Sequence, residues 1–462
     1  MRFPALQPLP GESVHSISEG DHSLHIYGLI LDPHHPDRSI GEIAQNLLSS
    51  DSLPAFLSTT FSLGGTYLLI WQSPIGTYAI PDSGALRPCF YYHRDGQMYL
   101  GSSAKGLYLQ LPRNKQPPPE DTDFFKSAFA KNGLYVMGRT PWQGIRQLLP
   151  NHYLDLETGV SNRCFPVQQY QIQSTKSVLP ELIKILRGQI KAAACHHTLT
   201  LPLTAGWDSR VLLAVSRPVL DRYSCTYTMR HPFMSDRHED VRIPPKLAKT
   251  ARIPHCFFEN TGLADPADEQ LLKDEVDAHN PRNPAMHTNV YNSHLSDQLI
   301  VSGIASETAK RYYGEETNLQ PERLAILTGY GDHPFVVESL REWLKNAQSI
   351  ADLGYDILDF FHWEFNVGSS VAREVTEINL SHAGVFPPFN HKQLIDLLLR
   401  IQPKYRDMYD HNVYRKIIRK CWPELLQHRV NPNPKTDLIR LMKRLGIYTA
   451  YTNLKRRLLK QS

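Results

Sequence analysis

The sequence predicts a two-domain protein of mixed α/β and α+β class. A β-rich sandwich spans residues 1–165, and a parallel-sheet domain with a helical C-terminal part spans residues 175–435. Three observations predict this. A chain of 462 residues exceeds what one hydrophobic core usually organises. Its first part breaks into short apolar runs separated by turn residues, whereas its second part alternates helical patterns with apolar strands. Apolar residues make up 41% and aromatic ones 10%, far from the profile of a disordered chain.

In the first domain the apolar runs at 24–31, 66–71, 77–80, 89–92 and 98–100 predict strands. The proline-rich stretch 112–119 can continue neither a helix nor a central strand, which predicts a linker there. A helix is predicted over 123–132, and a strand pair over 147–156 ending in the turn Glu157-Thr158-Gly159. In the second domain helices at 179–194 and 209–215 alternate with strands at 198–203, 223–229 and 255–258, the pattern of a parallel sheet covered on both faces. Beyond Glu307 helical patterns dominate, at 340–346, 355–367 and 392–401.

Charge and cysteines narrow the function classes. The formal charge of +4 is small for this length, and the basic residues gather between Lys435 and Lys460, so no nucleic-acid partner is expected. Cys89, Cys164, Cys195, Cys225, Cys256 and Cys421 are scattered without a CxxC pair and read as reduced thiols. Residues 1–11 have no apolar core behind a basic start, and no run of about 18 apolar residues occurs, which predicts a cytoplasmic protein.

The most informative segment is Leu201-Pro202-Leu203-Thr204-Ala205-Gly206-Trp207-Asp208-Ser209-Arg210, an apolar strand entering a turn of small residues and then a helix. Small residues let backbone N–H groups approach phosphate oxygens at a helix N-terminus, where the dipole favours anions. Thr204 and Ser209 add hydroxyls, and Arg210 stands where it can touch nucleotide or substrate. An aspartate beside a polyphosphate requires a cation between them, so Asp208 implies Mg²⁺. The alternative is an ordinary strand-to-helix turn with a capping Asp or Ser.

This segment resembles the Ser-Gly-Gly-x-Asp-Ser pyrophosphate loop (PP-loop) of the N-type ATP-pyrophosphatases, the group that includes asparagine synthetase, with Thr204 and Ala205 replacing its first Ser and Gly. The strand ending in Thr226-Tyr227-Thr228-Met229 is similar to that family's adenine-facing strand, which assigns Met229 to the nucleotide. Leu299-Ile300-Val301-Ser302-Gly303-Ile304-Ala305-Ser306-Glu307 resembles its strand and Ser-Gly-x-Gly-x-Asp segment, so Ser302 and Gly303 would line the nucleotide site and Glu307 would hold Mg²⁺ with Asp208. Val385-Phe386-Pro387-Pro388-Phe389-Asn390 and Trp422-Pro423-Glu424 follow in the family's order. Gly64-Gly65-Thr66-Tyr67-Leu68, the stretch Pro81-Asp82-Ser83-Gly84-Ala85-Leu86-Arg87-Pro88, Leu100-Gly101-Ser102-Ser103, and residues 146–152 are similar to its glutaminase domain. The resemblance implies an Ntn-hydrolase-like sandwich followed by an adenine nucleotide α-hydrolase-like domain. It further implies ATP and Mg²⁺ as cofactors and adenylation of a small-molecule or peptide carboxylate, followed by amide formation.

The departures from the family are specific. Glutamine hydrolysis needs a nucleophilic cysteine at position two, where this chain has Arg2, so glutaminase activity is expected to be absent. The nitrogen then comes as ammonia, from a separate glutaminase partner or free, or as an amine on the acceptor, as in macrolactam synthetases of biosynthetic clusters. Ile304 stands where the family has a proton-transferring Glu or Tyr, Gly384 where it has an acidic residue, and Val430 or Asn431 where it has a lysine. Lys435, four residues beyond Asn431, is the candidate to take over that lysine's catalytic role beside Asp208 and Glu307. A rival reading is a nucleotide-binding relative that no longer catalyses.

The tail 436–462 sets Leu438, Leu441, Met442 and Leu445 among basic residues at helical spacing. Packing of that apolar face on its own domain is favoured over contact with an anionic membrane.

Overall fold

A computed structural model describes residues 6–131, 134–276, 283–314, 316–407 and 411–431, together with 438, 442 and 445. Lys435 lies outside the described residues, as does the tail apart from those last three positions.

The apolar runs of the first domain become β2 (His22–Leu31), β3 (Gly64–Ser73), β4 (Gly76–Pro81), β5 (Phe90–Arg94) and β6 (Gln97–Gly101), and an unpredicted strand, β1 (Val14–Glu19), precedes them. Three short strands follow, β7 (Arg146–Gln147), β8 (His152–Asp155) and β9 (Ser161–Arg163). Antiparallel pairing assembles them into a six-stranded sheet, ordered β1-β2-β3-β4-β8-β9, and a three-stranded sheet, β6-β5-β7. Between β5 and β6 the chain turns on Asp95 and Gly96, both at positive φ (53° and 70°), the two-residue turn whose twist matches the flanking strands. The sheets pack face to face: Tyr27, Leu68, Ala79 and Leu154 of the larger meet Met98 and Leu100 of the smaller, with Cys89 and Leu148 beside them.

Helices cover both outer faces, although the strand-dominated pattern predicts none there. Ile40–Leu48 and Leu53–Thr60 lay Ile43, Leu47 and Phe56 on Leu24, Ile26, Leu69 and Trp71, with the rings of Phe56 and Trp71 stacked at 4.4 Å. Ala104–Gln110 covers Phe90 and Tyr92 on the smaller sheet. The first of these helices opens with a capping box between Ser39 and Glu42, a signal present in the sequence. The stretch 112–119 is not an open linker. It doubles back so that Glu120 N–H donates to Pro141 O at 2.7 Å and Trp142 stacks on Tyr108 at 5.0 Å. Its prolines forbid regular hydrogen bonding but not packing.

The second domain is built on β10 (Leu199–Pro202), β11 (Tyr223–Arg230), β12 (His255–Glu259), β13 (Leu299–Val301) and β14 (Gly384–Phe386), all parallel, in the order β12-β11-β10-β13-β14. Alternate residues serve opposite faces, as a strand buried on both sides requires. Leu199, Leu201, Leu299 and Val301 meet Leu182 and Leu186 of the helix Thr175–His196, while Tyr227 and Ile300 meet the core on the other side, which includes Leu340 and Trp363. From β10 the chain steps outward through β11 to β12, then returns to β13 on the opposite side of β10. Open α/β sheets bind ligands at such a reversal, outside the carboxyl ends of the strands. The predicted helix 340–346 lies within Pro334–Asp352, and 355–367 divides into Ile357–Phe361 and a π-helix, His362–Val371. Among the described residues no helix is long and apolar enough to cross a membrane.

Buried polar contacts join the two domains. Asn390 Nδ2 donates to Gly65 O (2.7 Å) and Asp82 Oδ1 (2.8 Å), Trp363 Nε1 to Ser83 O (2.9 Å), and Gln147 Nε2 to Gly368 O (2.8 Å). Arg163 forks onto Glu364, whose carboxylate also accepts from Trp343 Nε1 at 2.8 Å.

Candidate functional site

The loop after β10 is pinned at its start. Leu203 N–H donates to Tyr227 O at 2.7 Å, and Thr228 Oγ1 donates to Leu203 O at 2.8 Å. Thr204 Oγ1 then bonds Ser209 Oγ at 2.9 Å and accepts from Gly206 N–H at 3.1 Å, closing the turn on itself. A Cβ on Gly206 would lie 2.9 Å from Thr204 Oγ1, so a larger residue there would displace that hydroxyl. The helix Trp207–Val215 starts at Gly206 without a side-chain cap. Its first N–H groups have no intrahelical acceptor, which makes this end an acceptor site for an anion. The loop amides before the helix are already engaged, Thr204 N–H with Ser209 Oγ at 3.2 Å, Gly206 N–H with Thr204 Oγ1, and Ala205 N–H with Asp240 Oδ1 at 2.6 Å.

The second loop, after β13, comes up against the first. Ser302 N–H donates to Phe386 O at 2.9 Å, and Ile304 N–H to Ser302 Oγ at 3.3 Å. At Gly303 the backbone passes so close to the helix that a Cβ would lie 2.9 Å from Asp208 Cβ. Ala305 turns the chain at φ 69°, and Ser306 Oγ donates to Asp208 Oδ1 at 2.6 Å. Glu307 follows in the same crevice. Its carboxyl is raised, first by burial and further by Asp208, against the pull of Lys310. The structure thus brings Asp208 together with Ser302, Gly303 and Glu307, about 100 residues later in sequence.

Three further residues belong to this crevice and were not singled out from the sequence. Lys310 Nζ lies 2.9 Å from Asp208 Oδ1 and 5.2 Å from the centre of the Tyr414 ring. Tyr414 in turn donates to Ser306 O at 2.9 Å, and its hydroxyl is held far above the ordinary range, first by burial and then by Asp208. Glu374, on the helix Ala372–Asn379, reaches solvent yet is walled in by protein; burial raises its carboxyl, and Glu307 raises it further. Lys310 follows Glu307 by three residues, and that nearness is the only sequence signal that could have flagged it.

Other expected contacts are corrected. Arg210 is fully buried and turned away from the crevice: Nη1 donates to Leu425 O (3.0 Å) and His428 O (2.6 Å), and Nη2 to Ala205 O (3.3 Å) and Arg429 O (3.2 Å). It braces the back of the loop rather than reaching a nucleotide. Burial lowers its pKa to about 10, which leaves it charged at neutral pH. The Trp207 side chain is 3% exposed and packs in the core, so only its N–H can serve a ligand. Met229 is half-buried at the end of β11, and Asn431 N–H donates to Ala205 O at 3.1 Å, which sets Asn431 against the loop.

Magnesium demands a near-octahedral oxygen shell, usually one or two carboxylates completed by water and phosphate. Asp208 and Glu307 offer two carboxylates, but Oδ1 of Asp208 already accepts from Ser306 and Lys310. Among the described residues no group of three or more His, Cys, Asp or Glu side chains converges. As arranged, these residues fit an ammonium ion rather than a magnesium ion. Scanned against protein-family models the sequence matches none, and a search of curated proteins likewise finds no match.

Proposed function

We propose that this chain is an asparagine-synthetase-like, AMP-forming carbon–nitrogen ligase that binds ATP at the loop 204–209 and adenylates a carboxylate. The observation that carries the reading is the meeting of Asp208 and Glu307 across the β10–β13 reversal, beside an uncapped helix N-terminus. Two features of the fold support it. The strand order of the parallel sheet suits an adenine nucleotide α-hydrolase-like domain, and the helix–sheet–sheet–helix layering suits an Ntn-hydrolase-like one.

In this reading the first-turn amides of the helix Trp207–Val215 and the Thr204 and Ser209 hydroxyls take the β and γ phosphates. A carboxylate oxygen of the substrate attacks the α-phosphorus, and the bond to the bridging oxygen breaks, releasing pyrophosphate and leaving an acyl-adenylate. An amine or ammonia then adds to the acyl carbon, loses its proton and expels AMP. Positioning and fixed dipoles supply most of the rate in such a site. In this reading nitrogen enters as ammonia or as an amine of the acceptor.

The test is carboxylate-dependent ATP–pyrophosphate exchange across a panel of amino-acid, sugar-acid and peptide carboxylates. Exchange is expected with at least one, and Asp208→Ala should reduce it by about 100-fold or more while circular dichroism stays unchanged. Undiminished exchange in Asp208→Ala would remove the assignment. The second reading, a nucleotide binder without catalysis, is favoured by the Asp240 carboxylate already seated on Ala205 N–H. Nucleotide binding without exchange on any acceptor would establish it.

A further inference from the structure

Given nucleotide binding at the loop 204–209, on which this rests, we propose that Lys310 is a built-in cation that stands in for a divalent metal, so that the site takes a polyphosphate without magnesium. The ammonium occupies Oδ1 of Asp208, a carboxylate oxygen that a bridging metal would need. It lies 2.9 Å from Asp208 Oδ1, with its side chain 11% exposed. It is held there from several sides. Its own backbone N–H donates to Glu307 O at 2.9 Å, the next residue, Arg311, donates through its N–H to Arg406 O at 3.0 Å, and the Tyr414 ring faces the ammonium at 5.2 Å.

The charges fit a tethered cation. Asp208 and Glu307 bring two negative charges to the mouth of a loop meant for an anion, and without a cation they would repel a polyphosphate. Lys310 acts on both, as a direct ion pair with Asp208 and as a positive charge that draws down the Glu307 carboxyl. An ammonium has three donors. One goes to Asp208 and the Tyr414 face takes up a second side, which leaves a donor for a phosphate oxygen. A magnesium ion on the same carboxylate oxygen would be repelled by the lysine already bound there.

The test is calorimetric binding of the non-hydrolysable α,β-methylene analogue of ATP to the full chain, in EDTA and in excess magnesium. The wild type is expected to bind in both, with dissociation constants within about threefold of each other. Lys310→Met should lose about tenfold or more in EDTA and recover with magnesium, while Lys310→Arg should still bind in EDTA. Thermal melts of both variants separate misfolding from lost binding, and Lys310→Arg preserves the ion pair if Lys310→Met does not fold. A wild type whose affinity in EDTA falls by about tenfold or more would overturn the proposal and leave nucleotide binding standing. Lys310→Met binding in EDTA as the wild type does would have the same effect. No binding in either buffer would overturn both.

Discussion

Asn390 donates to the Asp82 carboxylate at 2.8 Å across 308 residues of sequence, and this contact closes the seam between the two sheets' domains. Asp82 is fully buried and also accepts backbone N–H bonds from Tyr67 (3.1 Å), Gly84 (3.0 Å), Leu86 (3.0 Å) and Arg87 (2.9 Å). Burial nonetheless pushes its carboxyl above the usual range. Asn390→Ala removes a donor from this carboxylate and another from Gly65 O, so the variant should lose about 1–3 kcal/mol of stability. Urea unfolding reads this directly, and a midpoint equal to that of the wild type would mean the seam contributes nothing.

Gly303→Ala tests the closeness of the two loops. The added methyl would lie 2.9 Å from Asp208 Cβ, too near for both loops to keep their places. Because the contact is a backbone approach rather than a core position, the fold should survive with a loss of about 1–3 kcal/mol. Affinity for the ATP analogue should fall by about tenfold or more, since Asp208 and the first turn of its helix move together. Unaltered affinity would show that the 302–303 segment does not shape the ligand site.

Acid should weaken the fold between pH 6.5 and 4. His152, His362 and His391 are each pulled down to about 4, in every case chiefly by burial. At His391 the neutral ring is fully used: Nδ1 accepts from Leu394 N–H at 3.2 Å, so the proton lies on Nε2, which donates to Ser62 O at 3.0 Å. Unfolded imidazoles take up protons near 6.5 and these folded ones not until about 4. Their contribution is therefore full above pH 6.5 and is lost as pH falls through that window, by roughly 3 kcal/mol for each residue at most. Urea midpoints measured at pH 7.5, 6, 5 and 4.5 should fall steadily, and His391→Gln should flatten the slope while lowering the plateau. A slope unchanged in His391→Gln would mean that this ring titrates normally.

Much of the second domain is legible in sequence because its signals are local. The run Leu199–Pro202, the small residues 204–206 and the helix after them form one contiguous strand–turn–helix unit, and the anion-accepting end is a property of that unit alone. The helices over β3 and β5 are harder to read. Their apolar faces are short and interrupted, and Phe56 or Leu107 becomes a core residue only when a sheet lies beneath it. Arg210 shows the same limit at the site, since its place beside the loop is a matter of sequence while its direction is set by four carbonyls, three of them about 215 residues away.

The sequence by itself determined the apolar runs that become β2 to β6 and β10 to β12, the parallel character of the second sheet, and the loop with its aspartate. Hydrophobic period and turn chemistry act within a few residues, so these features need no distant partner. Only the tertiary structure decided that Lys310 would pair with Asp208 beside Glu307, and that Arg210 would face inward. Each of those outcomes depends on which strands lie side by side and which groups are left to neutralise one another once water is excluded.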